Sequence, residues 1–204
     1  MIDKTSVPNH HAAYPGFSGV SGLVAALGMS VGRNGDARLV ARSSGVGPGD
    51  VVIDIGSGPG VAARHAARLG ASVTGVDPAP VMLRVARLLT RRSDSVRYVE
   101  GVAEAIPAAD DSASVVWSIA TVHHWADLDA GLRETRRVLR PGGRLVAIER
   151  RTQPGAHGHA NHGWTDARAE AFADRCRDHG FLDVRVEQNT SGRRSTLSVI
   201  ATSP

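Results

Sequence analysis

Short apolar runs and longer amphipathic stretches alternate along this chain from residue 51 onward. The runs that indicate strands are VVIDI (51–55), SVTGV (72–76), VRYVE (96–100), SVVWSI (114–119) and RLVAIE (144–149). Between them, residues 59–69, 80–91 and 129–139 have the spacing of apolar positions that predicts helices. Apolar strands separated by helices are typical of a mostly parallel sheet with helices on both faces, so we expect an α/β fold.

The flanking segments extend this pattern. Residues 36–44 predict a helix that leads into the first strand, and residues 165–179 predict a last helix. VRVEQ (184–188) and TLSVIA (196–201) then follow as short strands, which we expect to form an antiparallel pair at the sheet edge. Residues 1–32 and RTQPGAHGHANHG (151–163) are rich in small and polar residues, which predicts irregular segments.

Length and composition are those of one globular domain. The chain has 204 residues, of which 42% are hydrophobic and 22% charged. No apolar run approaches the roughly 18 residues that span a bilayer, and the N-terminal residues lack the pattern of a signal peptide. Cys176 is the single cysteine of the sequence, so no intramolecular disulfide can form. We expect a cytoplasmic protein without a membrane partner, either a monomer or a homodimer.

The basic charge of the chain raises the question of a nucleic-acid partner. The net charge is +4 and the isoelectric point about 10.1. The arginines of residues 80–91 and 129–139 alternate with apolar residues, however, which is the pattern of a solvated helix face. Only 4% of the residues are aromatic, too few for the stacking surfaces that bind single strands. We therefore do not expect nucleic acid as the partner.

A glycine-rich turn follows the first predicted strand. It reads Asp54-x-Gly56-x-Gly58-x-Gly60 and leads directly into a helix, while Asp77 ends the next strand. Ligands of open α/β sheets bind at the carboxyl ends of the strands, where glycines allow positive φ and close approach to the backbone. An acid at the end of the second strand is placed to accept hydrogen bonds from a ribose diol. This pattern predicts a nucleoside site; the alternative is a turn whose glycines serve packing alone.

The spacing of the turn favours one kind of nucleoside over another. A dinucleotide site has the pattern GxGxxG, whereas the last interval here is one residue shorter. Asp54 would repel a pyrophosphate but attract an ammonium or sulfonium group. The turn therefore favours a zwitterionic, cationic nucleoside, and an NAD-dependent oxidoreductase is kept as an alternative.

Five segments in order and register resemble class I S-adenosylmethionine-dependent methyltransferases of the small-molecule type, similar to methyltransferase domain 11. They are VVIDIGSGPGVAAR, GVDPAPVML, YVEGVAEAIP, SIATVHHW and RVLRPGGRLVAIE, within roughly residues 36–150. The resemblance implies a Rossmann-like, doubly wound, mostly parallel seven-stranded sheet with an antiparallel last strand, and S-adenosylmethionine as cofactor. It divides the single domain 1–204 into an N-terminal flap (1–35), a cofactor-binding core (36–150), a substrate-side loop (151–164) and a C-terminal helix with edge strands (165–204).

The resemblance also implies the cofactor contacts. The glycine turn would hold the methionine half, Asp77 the ribose hydroxyls, and Pro78 and Met82 would lie near the adenine. At Val102 the chain departs from relatives that often carry aspartate, which accepts a hydrogen bond from the adenine amino group; Glu104 or a backbone carbonyl is the expected replacement. The full set of implied contacts is Asp54, Gly56, Ser57, Gly58, Gly60, Asp77, Pro78, Met82, Val102, Ala103, Glu104 and Ser118.

Residues for the chemistry are expected after the fourth strand. Methyl transfer needs in-line placement of the two reactants, and a base only where the acceptor must lose a proton. His123 and His124 are the candidate bases, His123 preferred, and the alternative is that they only anchor the loop. The segment lacks the Asn-Pro-Pro-Tyr of amino methyltransferases that modify bases or protein glutamine. The candidate contacts to the acceptor are His11, Tyr14, Trp125 and Trp164.

The remaining candidates are assigned to other roles. Three histidines of the second irregular segment could in principle bind zinc, but no cysteine or carboxylate accompanies them, so we predict no metal site and expect a substrate lid (His157, His159 and His162). Trp117 is expected in the core, and Cys176 as an inert buried thiol. The predicted function is methyl transfer to a small molecule. Besides the oxidoreductase, the alternatives are a non-catalytic S-adenosylmethionine-binding protein and a nucleic-acid methyltransferase.

Overall fold

Seven strands form one sheet with five α-helices around it, in the computed structural model that describes residues 34–90, 95–155, 162–191 and 194–204. A short 3₁₀ turn at Val122–His124 follows the fourth strand. In chain order, the elements are α1 (Asn34–Ser44), β1 (Val51–Ile55), α2 (Val61–Arg68), β2 (Ser72–Asp77), α3 (Pro80–Leu89), β3 (Val96–Glu100), β4 (Ala113–Ile119), α4 (Leu128–Val138), β5 (Leu139–Arg150), α5 (Asp166–Asp178), β6 (Leu182–Ser191) and β7 (Arg194–Thr202).

The strand order places a ligand-binding edge next to the glycine turn. The order is β3-β2-β1-β4-β5-β7-β6, with β1 to β5 parallel and β7 antiparallel to both of its neighbours. The direction of winding reverses between β1 and β4, and ligands of such sheets bind at the carboxyl ends of the strands at this point. The predicted fold class, including the antiparallel last strand, is confirmed.

The main difference from the predicted elements lies at Pro141-Gly142-Gly143. A helix was predicted over 129–139 and the fifth strand over 144–149, whereas α4 ends at Val138 and β5 already begins at Leu139. Pairing with β4 jumps from Ala113↔Leu139 to Val115↔Arg144, so the segment is an irregularity within the strand. Gly142 has φ 74 and donates its N–H to the Ser203 carbonyl, which joins the irregular segment to the C-terminus.

Alternating residues of the sheet pack into two hydrophobic layers. Ile53, Val116 and Leu145 face α4 and α5, whereas Val52, Val115 and Trp117 face α1, α2 and α3. This alternation follows from the two-residue period of a strand, and it buries both faces of the central strands. Trp117 is fully buried, as predicted.

Two further expectations concern the helices. Cys176 is buried on α5, as predicted, and desolvation raises the pKa of its thiol to about 12, which disfavours the reactive thiolate. None of the described helices is long and apolar enough to cross a membrane. The division of the whole chain into flap, core, loop and C-terminal part stays a prediction.

Candidate active site

The glycine turn joins β1 to α2 through three residues with left-handed backbone. Gly56, Gly58 and Gly60 have φ values of 69°, 51° and 76°, and Gly60 is the N-cap residue that immediately precedes α2. Side chains other than glycine rarely adopt this conformation, so the sequence of glycines permits the sharp passage from strand to helix.

Two of these glycines are also required by close packing within the protein. A Cβ atom on Gly56 would lie 2.4 Å from Cγ2 of Thr121, and one on Gly60 would lie 2.1 Å from the Tyr98 hydroxyl oxygen. A Cβ atom on Gly58 would meet no atom within 4 Å. Packing thus accounts for glycine at Gly56 and Gly60, whereas Gly58 faces open space; the contacts of all three glycines with a cofactor stay a prediction.

The end of β2 holds the turn in place. The Val76 carbonyl accepts hydrogen bonds from Gly56 N (2.8 Å) and Ser57 N (3.0 Å). The buried Asp77 carboxylate accepts one from Gly58 N (2.8 Å) through Oδ2 and one from Ala79 N (2.9 Å) through Oδ1. A carboxylate can accept about four hydrogen bonds, so these two do not preclude hydroxyl donors. Asp77 thus has a structural role in addition to the ribose contact predicted for it.

The residues beside the turn fit the methionine end of S-adenosylmethionine. Asp54 is buried at the end of β1, and the hydroxyl of Ser57 is buried without a hydrogen-bond partner among the described residues. Both line a small pocket between α1, the glycine turn and α2. A carboxylate favours a nearby cation, and a buried hydroxyl without a partner is unusual in a folded protein unless a ligand or water satisfies it.

The expected adenine side is more apolar than the methionine side. Met82 is buried against Val85, and Pro78 is exposed. Val102 is 42% exposed and forms an isolated bridge with Ala105, while Ala103 is buried in the core.

Glu104 has a different environment from the one expected. Its Oε1 accepts hydrogen bonds from the backbone N–H groups of Ala126 (2.6 Å) and Asp127 (3.1 Å). The carboxylate therefore holds the loop that precedes α4 through Oε1, and its replacement of the missing aspartate at Val102 stays a prediction.

The end of β4 is tied to the glycine turn by hydroxyl groups. Thr121 Oγ1 donates to the Ile55 carbonyl (3.1 Å) and lies 2.5 Å from Ser118 Oγ. Ser118 is fully buried in the structure, and its contact with a cofactor stays a prediction. Thr121 and Tyr98 are site residues that sequence reasoning missed, because the residues they contact are distant in sequence.

His123 contacts a carboxylate that sequence reasoning also missed. Its Nδ1 lies 2.9 Å from Oε2 and 3.0 Å from Oε1 of Glu149, at the end of β5. The Glu149 side chain is 0% exposed and that of His123 is 20% exposed. The signal was present: Glu149 is an acid at the end of an apolar strand, as are Asp54 and Asp77.

A second and a third imidazole lie next to this pair. The ring centroids of His123 and His124 are 3.9 Å apart, and that of His162 is 5.6 Å from His123. No three histidine, cysteine or acidic residues come together as a metal site in the part of the chain that the structure describes. His157 and His159, like His11 and Tyr14, lie outside the described residues.

Both tryptophans predicted to contact the acceptor are buried in the core. Trp125 packs its ring against Gly131, where an added Cβ would lie 2.5 Å from Cε3. Trp164 packs on Phe172 with a centroid distance of 4.9 Å, and Trp125 meets the same ring edge-on. These contacts correct the prediction, since neither indole forms an exposed pocket wall.

The buried Trp164 closes the base of the predicted substrate-side loop. The backbone N–H of Trp164 donates to the Arg150 carbonyl (2.9 Å), and the backbone carbonyl of Trp164 accepts from Thr152 N (2.7 Å). Arg151 and Asp166 form an ion pair on the outside of the same base. These contacts join the two ends of the loop and place His162 beside His123.

Comparison with known proteins agrees with this geometry. Residues 53–147 match the model of a family described as methyltransferase domain. The chain is 35% identical over 114 residues to a demethylmenaquinone methyltransferase of Tropheryma whipplei, a stretch that covers 55% of this chain and 46% of that protein. It is 38% identical over 100 residues to a ubiquinone biosynthesis O-methyltransferase of a Methylobacterium species, covering 48% of this chain and 40% of that protein. The matches thus span less than half the length of these curated relatives.

Solved structures share the fold over most of the chain. A SAM-dependent methyltransferase from Aquifex aeolicus superposes with a TM-score of 0.74 at 17% identity, covering 89% of this chain and 98% of that one. A putative methyltransferase in complex with the Trm112 activator of Haloferax volcanii gives 0.73 at 23% identity, covering 90% and 95%. The match of residues 53–147 to the family model and the shared fold agree with the resemblance to class I S-adenosylmethionine-dependent methyltransferases that the sequence showed.

Proposed function

We propose that this protein transfers a methyl group from S-adenosylmethionine to a small-molecule acceptor at the carboxyl edge of its sheet. The observation that carries the proposal is the glycine turn with buried carboxylates at the ends of both β1 and β2, Asp54 and Asp77. The open face of Gly58 and the buried Ser57 hydroxyl between these acids support it.

Each residue of the turn has a defined task in this proposal. When bound, S-adenosylmethionine supplies an electrophilic methyl group on a positively charged sulfur. Asp54 contributes a negative charge at the methionine end, where burial strengthens the attraction. Asp77 accepts hydrogen bonds from ribose hydroxyls while it holds the Gly58 amide. Met82 and Val102 provide apolar surface on the adenine side.

The acceptor is proposed to lie between the end of β4 and the loop after β5. His123 is the base where the acceptor must lose a proton, since it is the imidazole fixed by a carboxylate at this edge. The names of two relatives, which concern menaquinone and ubiquinone, support a small molecule as the acceptor.

Thermal unfolding with different ligands tests the proposal. The protein is heated in buffer alone and with S-adenosylmethionine, S-adenosylhomocysteine or NAD. A ligand at a hundred times its dissociation constant adds about 2.7 kcal/mol, which is roughly 5–10 °C for a chain of this size. A shift with the two sulfur nucleosides alone is expected, and a shift with NAD alone would overturn the proposal. Formation of S-adenosylhomocysteine with any acceptor then distinguishes an enzyme from a binding protein.

A further inference from the structure

We propose that the cleft between α1 and β6 is a second ligand site, which binds a small polar molecule that carries a phosphate group. Arg42 and Ser43 of α1 line this cleft. Asp36 and Ala37 of the same helix line the pocket beside the glycine turn instead, and the two cavities share no lining residue. The inference therefore concerns a separate site, and it does not depend on the function proposed above.

The cleft is large enough for a small organic molecule. Its volume is about 370 Å³, within the range of about 300–1,000 Å³ that is usual for ligand pockets. Two apolar side chains line it, the buried Ile200 of β7 and Leu39 of α1. The other lining side chains carry hydrogen-bonding or charged groups: Arg42, Ser43, Arg185, Glu187 and Asn189. A ligand with several polar groups therefore fits the cleft better than an apolar one.

A bulge in β6 turns the side chain of Arg185 toward the cleft. Leu182 pairs with Thr202 at the start of the strand. The next pair is Arg185 with Ile200, so two residues of β6 lie opposite one residue of β7. Directly paired residues of an antiparallel sheet share a face, which places Arg185 on the face of Ile200. Without the bulge Arg185 would lie opposite Val199, which is buried in the core on the α5 side.

The backbone at this bulge adopts an unfavourable conformation. Asp183 has φ 51°, which residues other than glycine rarely adopt. Bulges and strained residues are frequent at ligand-binding sites, where they direct a side chain toward the ligand. Because side chains alternate along a strand, the same bulge also brings Glu187 and Asn189 to the cleft.

The cationic groups of the cleft come from two elements and are only partly neutralised. The exposed guanidinium of Arg42 has no hydrogen bond or ion pair with any residue that the structure describes. Arg185 donates from Nε to Oε1 of Glu187 at 2.9 Å, which leaves the N–H groups of its terminal nitrogens for a ligand. Two guanidinium groups and one carboxylate give the cleft a positive charge, so it attracts an anion.

A phosphate matches two arginines better than a carboxylate does. A guanidinium binds either group through two parallel N–H bonds, and one such contact occupies both oxygens of a carboxylate. A phosphate monoester has three charged oxygens and a charge of about −1.5 to −2 at pH 7. It can therefore contact Arg42 of the helix and Arg185 of the strand at the same time.

The remaining polar groups suit hydroxyl groups of the same ligand. Asn189 donates from Nδ2 to the hydroxyl of Ser198 (3.1 Å), which is fully buried and so fixes the orientation of the amide. The amide carbonyl, the Ser43 hydroxyl and the second oxygen of Glu187 can each accept a hydrogen bond. A phosphorylated polyhydroxy compound is therefore the class of ligand that this cleft fits.

Titration of the ¹⁵N-labelled protein with inorganic phosphate, followed by nuclear magnetic resonance, tests the site. Sodium chloride keeps the ionic strength constant, because salt alone screens surface charges. We expect the signals of Arg42, of Arg185 and of the Asn189 side-chain amide to shift and to saturate in the millimolar range. Shifts that do not saturate, or that chloride alone reproduces, would overturn the inference.

Two variants and a matched control identify the residues that bind phosphate. Arg42→Gln should raise the dissociation constant about tenfold or more, because it removes the arginine that no described acid neutralises. Asn189→Asp should have a similar effect, since it adds a negative charge without a change of size. The control is Arg133→Gln, which removes an exposed arginine of α4 outside the cleft and should leave the affinity unchanged. Equal losses in Arg42→Gln and Arg133→Gln would contradict a site.

Glucose 6-phosphate, glucose and acetate test the class of ligand. We expect glucose 6-phosphate to bind more tightly than inorganic phosphate, because its hydroxyls add hydrogen bonds within the cleft. Glucose and acetate should each bind about tenfold more weakly than phosphate or worse, since the first lacks the anion and the second lacks its third oxygen. Acetate that binds as tightly as phosphate would refute the phosphate assignment. None of these results depends on the binding of S-adenosylhomocysteine, which tests the proposed function separately.

Discussion

The carboxyl end of β1 and the carboxyl ends of β4 and β5 lie at one edge of the sheet, yet they are built differently. The glycine turn after β1 is contiguous in sequence, and its shape is set by backbone dihedral angles and backbone hydrogen bonds. The pair of His123 and Glu149 joins residues 26 positions apart through side chains alone. The glycine turn can therefore be recognised from the sequence. For the second site, the sequence shows an acid at the end of a strand, but its contact with His123 is visible only in the structure.

Both regions contain a buried carboxylate, but the groups that donate hydrogen bonds to the carboxylate differ. Asp77 is held by backbone N–H groups of Gly58 and Ala79, whereas Glu149 is held by an imidazole that can itself take up a proton. A carboxylate held by amides fixes a shape, and one held by a histidine can also take part in proton transfer. Substitutions in the two regions should therefore have different effects on stability and on ligand binding.

Substitution within the glycine turn should show that its glycines are not equivalent. Gly60→Ala places a Cβ 2.1 Å from the Tyr98 hydroxyl at φ 76°, so strain and overpacking together should cost about 2–5 kcal/mol of unfolding free energy. Gly58→Ala is the matched control, because its Cβ meets no atom within 4 Å and only the backbone penalty of about 1–2 kcal/mol remains. Urea denaturation measures both, and equal losses would contradict the packing role of Gly60.

Asp77→Asn should weaken both the turn and its ligand. An asparagine keeps one acceptor oxygen but turns an NH₂ group toward one of the two backbone donors, so we expect a loss of about 1.5–3 kcal/mol in unfolding free energy. Affinity for S-adenosylhomocysteine should fall about tenfold or more, equivalent to about 1.4 kcal/mol.

A control for this variant lies at the start of α4. Asp127→Asn changes the residue that accepts from Ala130 N, a position where asparagine and aspartate are about equally favourable. Its unfolding free energy and ligand affinity should stay unchanged. Unaltered affinity of Asp77→Asn in calorimetry would refute the ribose assignment, and unaltered stability would refute the structural role.

Val102→Asp should improve binding rather than impair it. The side chain is 42% exposed, so the substitution desolvates little, and a carboxylate there supplies the acceptor that the adenine amino group lacks. A gain of about 0.5–1.5 kcal/mol, roughly 2- to 12-fold in affinity, is expected for S-adenosylhomocysteine. The inosine analogue has no amino group and should gain nothing. Equal gains for both nucleosides would place the adenine elsewhere.

The regions that sequence reasoning recovered are those specified by neighbouring residues. Strand bounds and the glycine turn follow from local periodicity and backbone preferences, and α3 ends at Leu89, two residues before its predicted end. The assignment of Trp125 and Trp164 was wrong because Phe172, which covers both rings, comes from a later helix. The early start of β5 was missed because the residues before 144 are held by Ser203, which lies near the C-terminus. Such contacts depend on tertiary structure and leave no local signal.

Asp129 and His179 form a second carboxylate–imidazole pair, for which we expect the smallest effect on stability. Asp129 contacts Arg175 and His179, and hydrogen bonding to Arg175, followed by that to His179, lowers the pKa of the carboxyl to about 2. Because the folded pKa lies below the ordinary value of 3.8, the pair stabilises the protein above about pH 4, and this contribution is lost as the pH falls toward 2. Asp129 is 38% exposed, however, so solvent limits the effect to below about 1 kcal/mol.

Asp129→Asn should remove that part of the acid sensitivity. Urea midpoints of wild type and variant, measured between pH 5 and about pH 2, should converge as the wild-type carboxyl becomes protonated. Parallel curves would mean that the ion pair contributes nothing to stability. A partly exposed carboxylate beside a histidine would then have no measurable effect on stability. Any effect of Glu149 on His123 would depend on the complete burial of the Glu149 side chain.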